Sequence, residues 1–240
     1  MNLLKIYLFS DAHFGFSDKE EIKFIKFKKL LEEIKKNANK FIIIGDLFDF
    51  WFEYNSVIFS HYFKVLFEIY NISNNIETIY IAGNHDLWIG NFIKNLNIRT
   101  IIGKYEIKLN GKKIIFAHGD DLKFRIKTRD VLKNSFLVNI FKTIHPDIGI
   151  KIAKFISKIS RKAHNSHLKE IPNWLWSYFD KVEGDVLIIG HLHSPTYSIR
   201  NNKKIACIGD WLEHYTYGIL DENELKVLEF EGKVIYTLNL

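Results

Sequence analysis

Oxygen and nitrogen donors recur along the chain in short blocks. They are Asp11-Ala12-His13, Gly45-Asp46-Leu47-Phe48-Asp49, Gly83-Asn84-His85-Asp86, His118-Gly119-Asp120 and Gly190-His191-Leu192-His193. Each block follows an apolar run that reads as a strand. A single Asp or His of this kind could cap a helix or close a turn, but blocks in series imply one polar centre assembled by a folded sheet. Carboxylate, amide oxygen and imidazole together make ligand sets for two divalent ions. Asp11, His13, Asp46 and His193 form one set; Asp46, Asn84, His118 and His191 form the other, with Asp46 as the bridge. Few ligand charges then face two dications, and the positive surplus suits a phosphate diester or a diphosphate. A water shared by the ions would be acidified and poised as nucleophile, so no Ser, Cys or Lys nucleophile is required. His85 is expected to hydrogen-bond the phosphoryl group or protonate its leaving oxygen, with Asn84 also touching substrate. Asp49, Asp86 and Asp120 are candidates to orient the imidazoles from behind. The mixed donors suit Mn2+, Fe2+, Zn2+ or Co2+ better than an all-oxygen Mg2+ site, and of these Mn2+ is expected.

The elements that must position these blocks follow from the apolar pattern. The chain has 240 residues, 47% hydrophobic and 15% aromatic, enough for one folded domain with a sizeable core. Its 34 Lys and Arg against 28 Asp and Glu give a net charge of +6, which suits an anionic substrate or surface without indicating nucleic acid. Frequent Lys, Ile and Asn point to a composition drift that inflates the basic charge. The lone Cys207 excludes an intrachain disulfide and a thiolate zinc site. Neither a signal peptide nor an apolar run of membrane-spanning length is read, so a cytoplasmic protein is expected.

Leu3 to Phe9 reads as a buried strand. A helix capped by Ser17 or Asp18 follows to about Asn37, with Ile22, Ile25, Leu30, Leu31 and Ile34 as its inner face. Phe41 to Ile44 is the next strand, Ser56 to Tyr70 the next helix and Thr78 to Ala82 the third strand. The aromatic run Phe50-Trp51-Phe52 reads mainly as packing. Asn110-Gly111 joins Tyr105–Leu109 to Lys112–Ala117 as a hairpin. From Leu122 to Phe179 the pattern becomes helical and rich in Lys, Arg and aromatics, with Pro172 at a helix start. This reads as an insertion over residues 122–179 of a single domain spanning residues 1–240. Asp185 to Ile189 returns to a buried strand, and the remaining strands read as antiparallel. Alternating units first and a meander last imply a two-sheet α/β sandwich.

The blocks resemble those of the calcineurin-like metallophosphoesterases, along almost the whole chain. That resemblance implies a four-layer α/β/β/α sandwich with a dinuclear hydrolytic site at its rim. Phe48-Asp49-Phe50-Trp51, the insertion placed after His118-Gly119-Asp120, and Ile208-Gly209-Asp210-Trp211 are similar to the UDP-2,3-diacylglucosamine pyrophosphatase family of the lipid A pathway. Its members release UMP and 2,3-diacylglucosamine 1-phosphate, typically with Mn2+. Many carry Arg where this chain has His85. The block Gly83-Asn84-His85-Asp86, the run His145-Pro146-Asp147-Ile148-Gly149-Ile150 and Ser160-Arg161-Lys162 resemble a branch found in Bacteroidetes-like bacteria.

The insertion fits such a substrate. Phe124, Ile126, Phe136, Leu137, Ile140 and Phe141 could face acyl chains, and Arg129 and Arg161 could meet the diphosphate, Arg161 foremost because its fork binds phosphoryl oxygens bidentately. A basic amphipathic cap could rest on an anionic bilayer, giving peripheral contact with the cytoplasmic face of the inner membrane. Neither nucleic acid nor an obligate protein partner is expected. The alternatives are a soluble phosphoesterase of the same fold, acting on another nucleotide, a phosphoprotein or nucleic acid, and a metal-binding scaffold without chemistry.

Overall fold

Alternate residues of the central strands serve two different cores. The structure, a computed structural model, describes residues 4–123, 135–152, 155 and 170–240. Strands β1 (Ile6–Phe9), β2 (Lys40–Ile44), β3 (Glu77–Ile81) and β4 (Ile98–Ile101) run parallel to one another. The hairpin β5 (Lys104–Leu109) and β6 (Lys112–Ala117) begins a second sheet with β7 (Val186–Ile189), β8 (Thr196–Arg200) and β9 (Lys203–Cys207). The chain then returns to the first sheet as the meander β10 (Thr216–Leu220), β11 (Glu224–Glu229) and β12 (Val234–Asn239). The sheet orders are β12-β11-β10-β1-β2-β3-β4 and β5-β6-β7-β9-β8.

Side chains alternate across a strand. Ile6, Leu8, Ile42, Ile44, Ile79 and Ile81 therefore lie between the sheets, against Ile114, Phe116, Val186 and Ile188. Their neighbours Tyr7, Phe9, Phe41, Ile43 and Tyr80 pack outward in one cluster with residues of helices α1 (Glu20–Asn37) and α2 (Phe63–Ser73). On the opposite outer face, Ile115, Leu187 and Ile189 pack with Leu175, Trp176 and Phe179, which belong to a helix over Asn173–Phe179. That helix starts directly after Pro172, as the sequence implies. Burial on both faces explains why these strands read as unbroken apolar runs. The result is the α/β/β/α sandwich.

Several expectations need correction. The inner face of α1 is Lys23, Phe27, Leu30, Leu31 and Ile34, while Ile22 and Ile25 are 54% and 48% exposed. Positions 23, 27, 30 and 34 share one helical face; Ile22 and Ile25 fall off it. The helix begins at Glu20; ahead of it Ser17 Oγ accepts Lys19 N–H (3.0 Å), and the Glu20 carboxylate reaches back to the backbone N–H groups of Gly15 (2.9 Å) and Ser17 (3.3 Å). Helix α2 begins at Phe63 after a 3-10 turn over Ser60–Tyr62, not at Ser56. There, buried Tyr62 donates its hydroxyl to the Phe50 carbonyl at 2.6 Å and anchors the aromatic loop ahead of the helix. Strand β4 was not anticipated, and β9 runs parallel to β7, so the last five strands are divided between the sheets. Within the inserted segment, the described part includes helices over Asp120–Lys123 and Ser135–Thr143. Among the described residues, no helix is long and apolar enough to cross a membrane.

The corrected face of α1 sets unequal costs. Ile25→Ser is expected to change stability by less than about 0.5 kcal/mol, whereas Phe27→Ala costs about 3–5 kcal/mol. Urea unfolding followed by circular dichroism separates the two.

Candidate metal centre

Strands β1, β2 and β3 of one sheet and β6 and β7 of the other end on a common polar centre. The block that follows each strand supplies the donors. Asp11, His13 and His193 offer ligand atoms within 4.8 Å of one another; so do Asp11, Asp46 and His118, and so do His13, Asp46 and His85. Residues separated by most of the chain thus converge. Asp11 and Asp46 both belong to more than one group, and His85 stands closer to the centre than a remote substrate contact. His191 lies alongside, its ring 5.1 Å from that of His118 and its backbone N–H donating to Asp11 Oδ2 at 2.9 Å. Asn84 turns a buried Oδ1 that has no hydrogen-bond partner.

The turns that aim these side chains are strained in a consistent way. Asp11 (φ 51°), His13 (φ 44°), Asp46 (φ 51°), His191 (φ 61°) and His193 (φ 57°) all adopt left-handed backbone. Such conformations cost about 1–3 kcal/mol each outside glycine and persist only where their surroundings fix them. Here the backbone is tied across blocks. Asp11 N–H donates to the Gly45 carbonyl (3.1 Å), His13 N–H to the Asp46 carbonyl (3.0 Å), and Gly190 N–H to the His118 carbonyl (3.1 Å). Two glycines allow the close approach that results. A Cβ on Gly83 would overlap Asp46 Oδ1, and one on Gly190 would overlap Asp11 Oδ2.

Each central imidazole has one nitrogen toward a carboxylate of the centre and the other toward an outer acceptor. His118 Nε2 lies 3.3 Å from Asp46 Oδ2, and its Nδ1 meets the Ile44 carbonyl at 2.9 Å. Since a carbonyl only accepts, Nδ1 carries the proton and Nε2 is the donor atom presented to the centre. His13 lies between Asp46 (3.7 Å) and Asp49 (3.8 Å), and His193 between Asp11 (3.2 Å) and Asp210 (3.9 Å). Asp120 opens the helix after His118, and its charge helps raise the His118 pKa. Asp86 braces two turns: its carboxylate accepts from Leu47 N–H (3.0 Å), Gly83 N–H and the Tyr80 hydroxyl. Asp210 was not among the anticipated site residues. It is buried, and Oδ1 accepts from the backbone of Leu212, Glu213 and His214 at 2.9–3.1 Å. Its signal was Gly209-Asp210 following strand β9, the same pattern as the metal blocks. Arg129 and Arg161 lie outside the described residues.

His85 is fixed at two points. Its N–H donates to Asp46 Oδ1 at 2.9 Å, and Nδ1 lies 2.6 Å from the Asp49 carbonyl. Its ring meets the His13 ring edge-on at 4.7 Å.

Charge is densely balanced here. Burial opposes ionisation of Asp46, yet His118 and His85 hold its pKa well below the usual carboxylate range. Burial likewise disfavours imidazolium at His118, but Asp46 and Asp11 raise its pKa well above the usual value. Burial, then the neighbouring His85, keeps the His13 pKa well below normal. Asp86 is pushed up to about 7 by burial and by the charge of Asp46. Asp11 Oδ1, both His13 nitrogens, Asn84 Oδ1 and His118 Nε2 are buried without hydrogen-bond partners. Buried polar atoms are rarely left so. These are hard and borderline donors converging on one centre, and divalent ions fit them. The arrangement makes a candidate dinuclear metal site.

Comparison with known proteins agrees with the geometry. The sequence profile described as calcineurin-like phosphoesterase matches residues 4–195. The chain is 28% identical to a UDP-2,3-diacylglucosamine hydrolase of Porphyromonas gingivalis, covering 94% of this chain and 97% of that protein. It is 27% identical to the Psychromonas ingrahamii protein of that name, covering 84% and 88% of the two chains. Among solved structures, Yfce, a phosphoesterase from E. coli, superposes with a TM-score of 0.54 at 15% identity, over 98% of each chain. Gly83→Ala should displace the Asp46 carboxylate while leaving the sheets formed. Metal analysis after equilibration with Mn2+ is expected to find fewer ions per chain than in the wild type, at an unchanged far-ultraviolet spectrum.

Proposed function

The chain belongs to the calcineurin-like phosphoesterase family, and we propose that it hydrolyses the pyrophosphate bond of UDP-2,3-diacylglucosamine, releasing UMP and 2,3-diacylglucosamine 1-phosphate with two Mn2+ ions bound. The coarser activity, metal-dependent phosphoester hydrolysis, follows from the fold and the clustered His and Asp donors. Asp11, His13, Asp46 and His193 would hold one ion; Asp46, Asn84, His118 and His191 would hold the other. When bound, the ions supply Lewis acidity and an acidified water. His85, whose ring nitrogen lies within 4.8 Å of ligand atoms of His13 and Asp46, would then face a phosphate held there. With Nδ1–H donated to the Asp49 carbonyl, His85 can donate through Nε2 to a phosphoryl oxygen, or give the leaving group a proton, only as the doubly protonated imidazolium.

The observation that carries the lipid substrate is a cleft of about 660 Å³ on the chain segments that follow Asp49 and Asp86, lined in part by Phe52, Glu53, Tyr54, Asn55, Trp88 and Lys142. The residue before Phe52 is tied to a site loop: Trp51 N–H donates to the His85 carbonyl at 2.9 Å. The ring of Phe141, from the helix over Ser135–Thr143, lies 4.5 Å from Phe52 and 5.9 Å from Trp88. This supports reading residues 122–179 as a cap over the cleft. The aromatic rings in this cleft suit acyl chains, and the similar proteins are named as hydrolases of UDP-2,3-diacylglucosamine. Delivery of such a lipid implies peripheral contact with an anionic membrane from the cytoplasm. His85 favours a second reading, a phosphoesterase acting on a soluble nucleotide or phosphoprotein, because many of the lipid hydrolases have Arg there.

Purified protein with Mn2+ and UDP-2,3-diacylglucosamine in detergent micelles is expected to release UMP. Absence of UMP release, alongside clear turnover of a generic phosphate diester, would move the assignment to the second reading.

A further inference from the structure

Lys23 is a fully buried lysine that the hydrolytic reading does not use. Burying an ammonium is costly unless its hydrogen bonds are replaced. Here they are. Lys23 Nζ donates to the carbonyls of Ala12 (2.9 Å) and His13 (2.8 Å) and pairs with Glu20 Oε1 at 2.6 Å. It also lies 5.1 Å from the centre of the Phe14 ring. The helix does not explain this placement, because a cation near a helix N-terminus opposes the macrodipole. The loop after β1 does.

That loop holds Asp11 and His13 in left-handed backbone, and its polar groups are tied down in turn. Asp11, His13 and Phe14 donate their N–H groups to the Gly45, Asp46 and Leu47 carbonyls. The Asp11 carbonyl accepts from Trp211 N–H (3.1 Å), and the Phe14 carbonyl from Asp49 N–H (2.9 Å). The remaining carbonyls in this run, Ala12 and His13, both go to Lys23. A water could satisfy them, but only an anchored group fixes their direction. Trp211 also reaches Lys23 itself, donating Nε1–H to its carbonyl at 3.1 Å. The Glu20 carboxylate, through Gly15 and Ser17, clamps the far end of the loop to the same helical turn.

We propose that Lys23 is a positioning residue for the metal centre: its ammonium, held by Glu20, preorganises the Asp11–His13 turn so that both side chains are aimed before an ion binds. This rests on the ligand assignment above. Removing the ammonium leaves the donors present but unaimed, so metal affinity falls without loss of a ligand. Groups behind a first ligand shell typically govern affinity by 10- to 100-fold.

Mn2+ binding to metal-stripped protein, followed by the loss of the free-ion electron paramagnetic resonance signal, tests this. Lys23→Met is expected to weaken one of the two binding steps by about 10- to 100-fold and to leave the other within a few-fold. Glu20→Gln, which keeps the lysine but loosens it, weakens the same step by less and serves if the first variant does not fold. A lysine with only a structural role would lower the melting temperature and leave the affinity of the folded protein unchanged. Unchanged constants in a folded variant, or equal weakening of both steps, overturn the proposal. A wild-type protein that takes up no Mn2+ overturns the ligand assignment itself.

Discussion

The carboxylate of Asp46 must sit buried among imidazoles with almost no protein hydrogen bonds of its own, and much of the structure serves that constraint. It lies 3.3 Å from His118 and 3.7 Å from His13, and it accepts one backbone hydrogen bond from His85. An isolated carboxylate in such a place would take up a proton. The surrounding imidazoles instead keep it ionised. Ligation needs neutral imidazole, so an ion at His118 would replace imidazolium as the partner of Asp46. The charge balance that holds the centre together without ions is therefore the one that ions replace.

The fold meets this constraint by bringing two sheets to one rim. Parallel strands β1, β2 and β3 place three donor blocks side by side, and parallel β6 and β7 place two more opposite them. Left-handed turns then fold the donors inward, and the absence of a side chain at Gly83 and Gly190 leaves room for Asp46 and Asp11. Outer groups finish the aim: Ile44 behind His118, Asp49 behind His13, Asp210 behind His193. The strained turns of the rim are anchored on strands buried on both faces.

Much of this was legible in sequence. Donor blocks after apolar runs located the centre, since strands buried on both faces read as unbroken hydrophobic stretches. Left-handed backbone at five donor positions was not legible: Asp and His tolerate it but do not announce it. The face of α1 was misjudged because Ile22 and Ile25 look like core while Lys23 looks like surface, and the loop's need for a donor outweighed hydrophobicity. Asp210 went unassigned because its place behind His193 is a tertiary contact that the sequence pattern does not encode. The late start of α2 reflects Tyr62, whose hydroxyl holds the aromatic loop, a tertiary contact that local propensity does not encode.

The hydrolytic reading stands or falls on Asp46 as the group shared by two ions. Asp46→Asn keeps the shape of the side chain and removes its charge, so the protein should remain folded. The decisive measurement is the number of Mn2+ ions bound per chain, taken with the rate of phosphate diester hydrolysis on the same sample. The bridging account predicts that the wild type binds a pair of ions, and that the variant loses at least one of them along with nearly all turnover. A folded variant with full occupancy and near-normal turnover would contradict it.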